Sequence, residues 1–440
     1  MVKLFDYQQR AVDTVLKEGG SWGLFFDPGL GKTLTTLTLL NTLKPACTWI
    51  IAPLRVARET WPTEIERWGF KDLDPIVVHG KTKKAGIKAK TYIFNPEGLE
   101  WAVANLPLPE ILVVDESSMF KNPSSVRFKA LRKIAKRIPQ RFLLTGTPAP
   151  NGYLDLWSQL YLIDFGKTLE DGITKYRNRY FKNEGYHFPK WVLMQGSEKQ
   201  INQRLSQANV IRLSKEEYGN LPPIVTHDIP VELPPAIMKH YKTMSDELYS
   251  EFTEGEYVIS KTVVTSMQKC QQIANGFIYT EEGTHKLHKA KIEALEALID
   301  ELAGKPLLIA YAFKEDLQII KSVFKNIPVI GSETTAKQEK AIIREWNEGK
   351  LPLLAGNPQS MGHGLNLQAA ANHTCWFSLT WNLELYDQFN DRLHRTGQKN
   401  TVVVHRLIAK NTIDETMAYR LKSKTTVQDA ILNTFKCIDK

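Results

Sequence analysis

The sequence predicts an α/β protein of two lobes, each a parallel sheet with helices on both faces, with helical projections and a linker between them. Two observations predict the lobes. Short apolar runs recur at Trp22–Phe26, Thr48–Ala52, Pro75–Val78, Thr91–Phe94, Ile111–Val114 and Phe142–Leu144, then again at Pro306–Tyr311, Pro328–Ile330, Leu351–Ala355, Thr374–Phe377 and Val402–Ile408. Helical patterns such as Leu34–Leu43 and Val56–Trp68 lie between the early runs. A run that is apolar at nearly every position is a strand buried on both faces, and such strands alternating with helices build parallel sheets. A third observation separates the lobes. The middle of the chain is rich in Tyr, Lys, Gln and Glu, has few β-type runs, and is punctuated by Pro222-Pro223 and Pro234-Pro235. The expected division is residues 1–163 for the first lobe, 164–285 for projections and linker, and 286–440 for the second lobe with C-terminal helices.

Composition narrows the class. At ~100–200 residues per domain, 440 residues suggest two to four domains. Hydrophobic residues at 42% and charged residues at 24% are ordinary for a globular chain, which excludes disorder as the main state. No stretch approaches the ~18 apolar residues of a membrane-spanning helix, and the opening MVKLFDYQQR lacks an apolar signal core. The four cysteines lie far apart, so neither a disulfide scaffold nor a cysteine zinc site is expected. His285 and His288 have no further ligand at metal spacing and read as a solvated loop.

The formal charge of +9 suits a polyanionic partner. Lys81 to Lys90 holds five lysines and no acid, and Lys121 to Arg141 holds eight basic residues and no acid. In the second stretch Phe128, Leu131, Ala135 and Ile138 form a helical apolar stripe, so its basic residues are expected on the outer side.

Three stretches carry chemistry. Asp27-Pro-Gly-Leu-Gly-Lys-Thr33 follows the first strand and opens a helix, the context of a phosphate-binding loop. Gly29 and Gly31 let backbone N–H groups approach phosphates, Lys32 reaches the β- and γ-phosphates, and Thr33 coordinates Mg²⁺. Ile111-Leu-Val-Val-Asp115-Glu116 is an apolar strand ending in two carboxylates. Asp115 is expected in the Mg²⁺ shell, and Glu116 is expected to deprotonate the attacking water. Gln388-Phe-Asn-Asp-Arg392-Leu-His-Arg395-Thr-Gly-Gln398 places two arginines three apart, which predicts one helix face aimed at a triphosphate. A glycine-rich turn, an acidic strand end and a basic surface helix account for these stretches singly but not for their succession.

Together with Leu144-Thr-Gly-Thr-Pro148, these motifs resemble helicase superfamily two, and within it the Swi/Snf-type ATPases. Phe5-Asp-Tyr-Gln8, Ala52-Pro-Leu-Arg-Val56 with Trp61 and Trp68, Asp115-Glu-Ser-Ser-Met-Phe-Lys-Asn122, Thr145 to Asn151 with Leu156-Trp157, Gly362-His-Gly-Leu-Asn366, and Trp381-Asn382 carry the likeness across about residues 5–416. The resemblance implies two recA-like lobes with ATP between them. It implies that Gln8 reads adenine, that Gly364 joins the nucleotide-binding residues, and that Arg392 and Arg395 join Lys32 and Glu116 in catalysis. It gives Thr145, Thr147 and Gln388 coupling roles. Nucleic-acid contacts are expected at Arg55, Lys81, Lys83, Lys84, Ser360 and Asn366. The implied activity is an ATP-driven motor on double-stranded DNA, held mainly by its phosphates without sequence preference. The alternatives are a strand-separating DNA or RNA helicase and an ATP-gated, non-catalytic DNA clamp. The compact chain resembles stand-alone bacterial or phage members, hence an expected cytoplasmic site of action. Three positions depart from the family pattern: Phe26 at the loop's first glycine position, DESS as the acidic box, and Asn357-Pro-Gln-Ser-Met361, which lacks a Thr-Arg pair.

Overall fold

The computed structural model describes residues 3–84, 86–185, 189–218, 221–253, 261–361, 365–432 and 434–437. The chain divides into two compact units, one of Met1–Lys182, Val192–Asn220 and Thr425–Lys440, the other of Asn183–Trp191 and Leu221–Lys424. Each holds a parallel sheet with helices on its faces, the architecture the sequence predicts.

The first unit's sheet has eight strands in the order Lys436–Cys437, Val210–Leu213, Trp22–Phe26, Gln140–Leu144, Ile111–Asp115, Thr48–Ile51, Thr91–Phe94, Pro75–Val77. Every pairing is parallel. The central strands are buried at every residue because helices cover both faces, which is why they read as unbroken apolar runs. The helix Asp6–Glu18 shows the local logic: Gln8, Ala11, Val12 and Val15 make its buried stripe, Asp6 sits in the first turn, Lys17 sits in the last, and Gly19 follows with φ 65°.

The second unit's sheet has six strands in the order Ile224–Val231, Val402–Ala409, His373–Trp376, Leu307–Ala310, Leu353–Gly356, Val329–Ile330. Alternate residues feed two cores. Leu308, Ala310, Leu354, Trp376 and Val404 pack on one face, and Leu307, Ile309, Ala355, Cys375 and Leu407 on the other.

The structure departs from the sequence expectation in three places. The stretch 164–285, read as helical projections and linker, contributes a strand to each sheet, Val210–Leu213 and Ile224–Val231. The first is only four residues long and carries a charge, Arg212; the second lies at a sheet edge, exposed over most of its length and interrupted by Pro230. Neither has the apolar signature of a central strand. Next, residues 425–440, assigned by sequence to the second lobe, belong to the first unit. Phe435 is buried edge-on against Phe25 with ring centroids 5.3 Å apart, and Lys436–Cys437 pairs with Val210–Leu213. Third, Arg141 is not on the outer side. Phe128, Leu131, Ala135 and Ile138 are buried as expected, but so is Arg141. Its guanidinium donates to the carbonyls of Ala135, Ile138, Leu162 and Ile163 and lies over the Phe165 ring. Pairing of every guanidinium nitrogen with a main-chain oxygen makes that burial tolerable.

No described helix is long and apolar enough to cross a membrane. Among the described residues no cluster of three or more His, Cys, Asp or Glu could hold a metal.

Truncating Phe435 to alanine should remove the anchor of the C-terminal strand. Emptying a buried phenylalanine site costs about 3–5 kcal/mol. Denaturant unfolding should show that loss in the transition of the first unit.

Candidate functional site

The phosphate loop leaves the carboxyl end of Trp22–Phe26 and turns into the helix Lys32–Leu43. Gly31 is fixed by two constraints. Its φ of 79° lies in the left-handed region, and a Cβ there would stand 2.0 Å from Gln8 Nε2. Gln8 is buried against the loop: its Nε2 donates to the Leu30 carbonyl at 3.2 Å, and its Oε1 accepts from Phe5 N at 3.0 Å. Lys32 Nζ donates to the Phe26 carbonyl at 2.7 Å, folded back on its own loop. Gly29, also at positive φ, and the half-exposed Thr33 lie in the same turn and first helical residues.

Two partners of this loop were missed by sequence reasoning. Asp27 pairs with Arg212 at 2.7 Å and accepts from Lys215 N at 2.9 Å. Strand Val210–Leu213 therefore clamps the loop's first residue, and the only sequence signal was an arginine inside a short apolar run. The other partner is Gly146 of the Thr-Gly-Thr-Pro segment, where a Cβ would stand 2.9 Å from Pro28 Cδ and 3.2 Å from the Phe26 carbonyl. Thr145 and Thr147 are buried, and Thr147 N donates to Thr145 Oγ1 at 3.0 Å.

Asp115 ends the strand Ile111–Asp115, one strand removed from the phosphate-loop strand, with Gln140–Leu144 between them. It is 7% exposed. Its Oδ2 accepts from Trp61 Nε1 at 2.9 Å and its Oδ1 from Glu116 N at 3.1 Å. Glu116 takes φ 53°, a left-handed conformation that costs a side-chain-bearing residue ~1–2 kcal/mol. Ser117, the third residue of the DESS box, is tied to a neighbouring segment. Ser117 Oγ donates to Gln159 Oε1 at 2.7 Å, and Gln159 Nε2 donates to the carbonyls of Pro148 at 2.6 Å and Asp155 at 3.0 Å. A fully buried glutamine thus joins the acidic box to the Thr-Gly-Thr-Pro segment.

Hard oxygen donors, a carboxylate and a hydroxyl, fit a small divalent cation such as Mg²⁺. A carboxylate oxygen can accept from more than one donor, so the bonds from Trp61 and Glu116 do not by themselves preclude a ligand.

In the second unit the helix Leu383–Asn390 ends before both arginines, so they do not share a helix face as the spacing predicted. They lie in the turns that follow, yet they converge: Arg392 Nη1 and Arg395 Nη1 donate to the Leu365 carbonyl at 3.3 and 2.9 Å. Arg392 Nε also donates to the Gln388 carbonyl at 2.7 Å, and Gln388 is buried on the helix. Burial lowers the Arg395 guanidinium from its usual range, with Asp391 opposing. Gly364 lies outside the described residues.

The nucleic-acid candidates are dispersed. Arg55 is half-buried beside Glu59 at 3.9 Å, Lys83 is half-buried, and Lys84 is exposed. Lys81 lies in the short 3-10 turn Gly80–Thr82, and its side chain is not described. In the second unit Ser360 is half-buried and Asn366 is exposed.

A phosphate loop and an acidic strand tip on one edge of a parallel sheet define a nucleotide-hydrolysing α/β protein. Comparison with known proteins narrows this. The family profile described as SNF2-related domain matches residues 7–278, and that of the helicase conserved C-terminal domain matches 290–397. The chain belongs to the SNF2-related family of helicase superfamily two, whose members are DNA-dependent ATPases. Protein p41 of Acyrthosiphon pisum secondary endosymbiont phage 1 is 34% identical, over 93% of each chain. The human DNA annealing helicase and endonuclease ZRANB3 is 26% identical over 98% of this chain, which spans only 40% of that protein. Among solved structures, the Sulfolobus solfataricus SWI2/SNF2 ATPase core in complex with dsDNA is 23% identical, with a TM-score of 0.45, over 98% of this chain and 93% of that one.

Replacing Gln159 by leucine should leave the Pro148 carbonyl and the Ser117 hydroxyl buried without their partner. Each such group costs about 1–3 kcal/mol. Chemical denaturation of Gln159→Leu should show a loss in that range or above.

Proposed function

We propose that this chain couples ATP hydrolysis, with Mg²⁺, to movement along duplex DNA, gripping phosphates irrespective of sequence. The observation that supports it most is the edge of the first unit's sheet. There the phosphate loop, the Thr-Gly-Thr-Pro segment and the acidic pair follow three neighbouring strands. In this reading the nucleotide's phosphates replace the Phe26 carbonyl as the partner of Lys32, and Gln8 meets the base. Asp115 and Thr33 hold the cation, which when bound neutralises phosphate charge. Glu116 orients the attacking water and takes its proton. Arg392 and Arg395 stabilise charge that develops on the transferring group, so they act on rate more than on affinity. Thr145, Thr147 and Gln388 relay the state of the nucleotide. Arg55, Lys81, Lys83, Lys84, Ser360 and Asn366 contact DNA phosphates.

The test is steady-state ATPase with duplex DNA, single-stranded DNA and RNA at two salt concentrations. Duplex should stimulate most, with activity falling steeply as salt rises because phosphate contacts release counterions. Equal or greater stimulation by single strands or RNA would overturn the duplex motor in favour of an unwinding helicase. No multiple turnover with any polymer would point to a clamp.

Glu116→Gln should keep ATP binding within about threefold while hydrolysis falls by about a hundredfold or more, the scale of a lost general base. Nucleotide-binding titration and single-turnover hydrolysis measure the two separately. Near-parental hydrolysis would remove Glu116 from the mechanism.

A further inference from the structure

At the acidic strand tip a tryptophan donates to the Asp115 carboxylate. Trp61 is fully buried at the start of the helix Trp61–Arg67, immediately after a π-helical turn at Val56–Thr60. Such turns recur at functional sites. The ring packs in the cluster that includes Val56, Ala57, Ile65, Ile93 and Val113, and from it Nε1–H reaches Asp115 Oδ2 at 2.9 Å. An indole N–H is a donor only, so this bond has one polarity and requires an acceptor oxygen facing the ring. The second carboxylate oxygen is fixed independently by Glu116 N.

With a donor on each oxygen, rotation of the Asp115 carboxylate breaks at least one hydrogen bond. A rigid partner that orients a ligating carboxylate raises metal affinity, and loss of such a partner typically costs about 10–100-fold. We propose that Trp61 is a positioning residue that holds the Asp115 carboxylate in the orientation from which it binds the divalent cation. The proposal rests on the assignment of Asp115 to the metal. A packing role alone would not need the nitrogen, because a phenyl ring fills most of the same volume.

The experiment is Trp61→Phe, which keeps an aromatic ring and deletes the donor, confirmed as folded by its thermal melt. Mn²⁺ is the probe, followed by electron paramagnetic resonance on the full chain with ADP. Binding of Mn²⁺ should weaken by about tenfold or more, while ADP affinity in EDTA stays within about twofold. In hydrolysis, the Mg²⁺ concentration for half-maximal rate should rise, with kcat at saturating metal little changed. Asp115→Asn separates the two failures. If that variant binds Mn²⁺ with ADP like the parent, Asp115 is not the ligand and the proposal falls with that assignment. If Asp115→Asn loses Mn²⁺ but Trp61→Phe keeps it within about twofold, only the role of Trp61 is overturned.

A second measurement does not depend on Trp61→Phe folding. In protein labelled with ¹⁵N-tryptophan, the indole resonance displaced by Asp115→Asn identifies Trp61. In the parent with ADP, that resonance should shift when Mg²⁺ is added. A resonance that does not respond to Mg²⁺ would overturn the proposal.

Discussion

A parallel sheet has a direction, and the first unit depends on it. All of its strands run the same way, so every loop that follows a carboxyl end emerges on one edge. Open parallel sheets bind ligands beyond the carboxyl ends for this reason. Asp27 follows Phe26, Asp115 ends its own strand, Thr145 follows Leu144, the segment with Arg55 follows Ile51, and Lys215 follows Leu213. Residues nearly 190 positions apart, such as Asp27 and Lys215, meet there by hydrogen bond. Were any one strand reversed, its functional residue would lie at the opposite edge.

Direction brings residues to an edge, but close packing decides how they stand. Gly31 and Gly146 are places where a single Cβ would collide with Gln8 or with the loop at Pro28, so the phosphate loop is pressed between two other motifs. The charged partners are equally confined. Asp27 is held by Arg212 and Asp115 by Trp61, while Gln159 spans the acidic box and Pro148. The second unit follows the same rule away from its arginines. Lys291, wholly buried, bonds Asp414 at 2.6 Å and Asn275 at 2.7 Å, and Asn275 continues to Asp316 and Ser378. Asp414 Oδ2 also accepts from Ala409 N at 3.1 Å, while its Oδ1 is buried without a hydrogen-bond partner, so the network ties the helices that carry it together without satisfying every atom.

Much of this was legible in the sequence because it is local. A strand buried on both faces reads as an apolar run, and a phosphate loop reads as glycines before Lys32. The partners were not legible because they are distant and chemically ordinary. Nothing local marks Arg212 as the mate of Asp27, or Gln159 as the bridge from Ser117. Strand Ile224–Val231 was missed because an edge strand needs only one apolar side, and its residues are mostly exposed. The helix predicted across Arg392 and Arg395 failed for a related reason: spacing of three suits a helix, but it also suits successive tight turns, and the helix is already capped at Asp391. The C-terminal strand was misassigned because two residues carry no pattern at all. The burial of Phe435 against Phe25 and the pairing of Lys436–Cys437 with Val210–Leu213 reveal where it belongs.

The convergence of Arg392 and Arg395 on the carbonyl of Leu365 has an evolutionary side. A carboxylate partner can be lost by one codon change, whereas a main-chain oxygen is present whatever residue occupies the position. The same holds for Arg141, whose guanidinium donates to four main-chain carbonyls. Orientation of these guanidinium groups is therefore inherited with the path of the backbone. The side chains of the residues that supply those oxygens, Leu365, Ala135, Ile138, Leu162 and Ile163, are all buried, so they answer to core packing while their carbonyls hold the arginines.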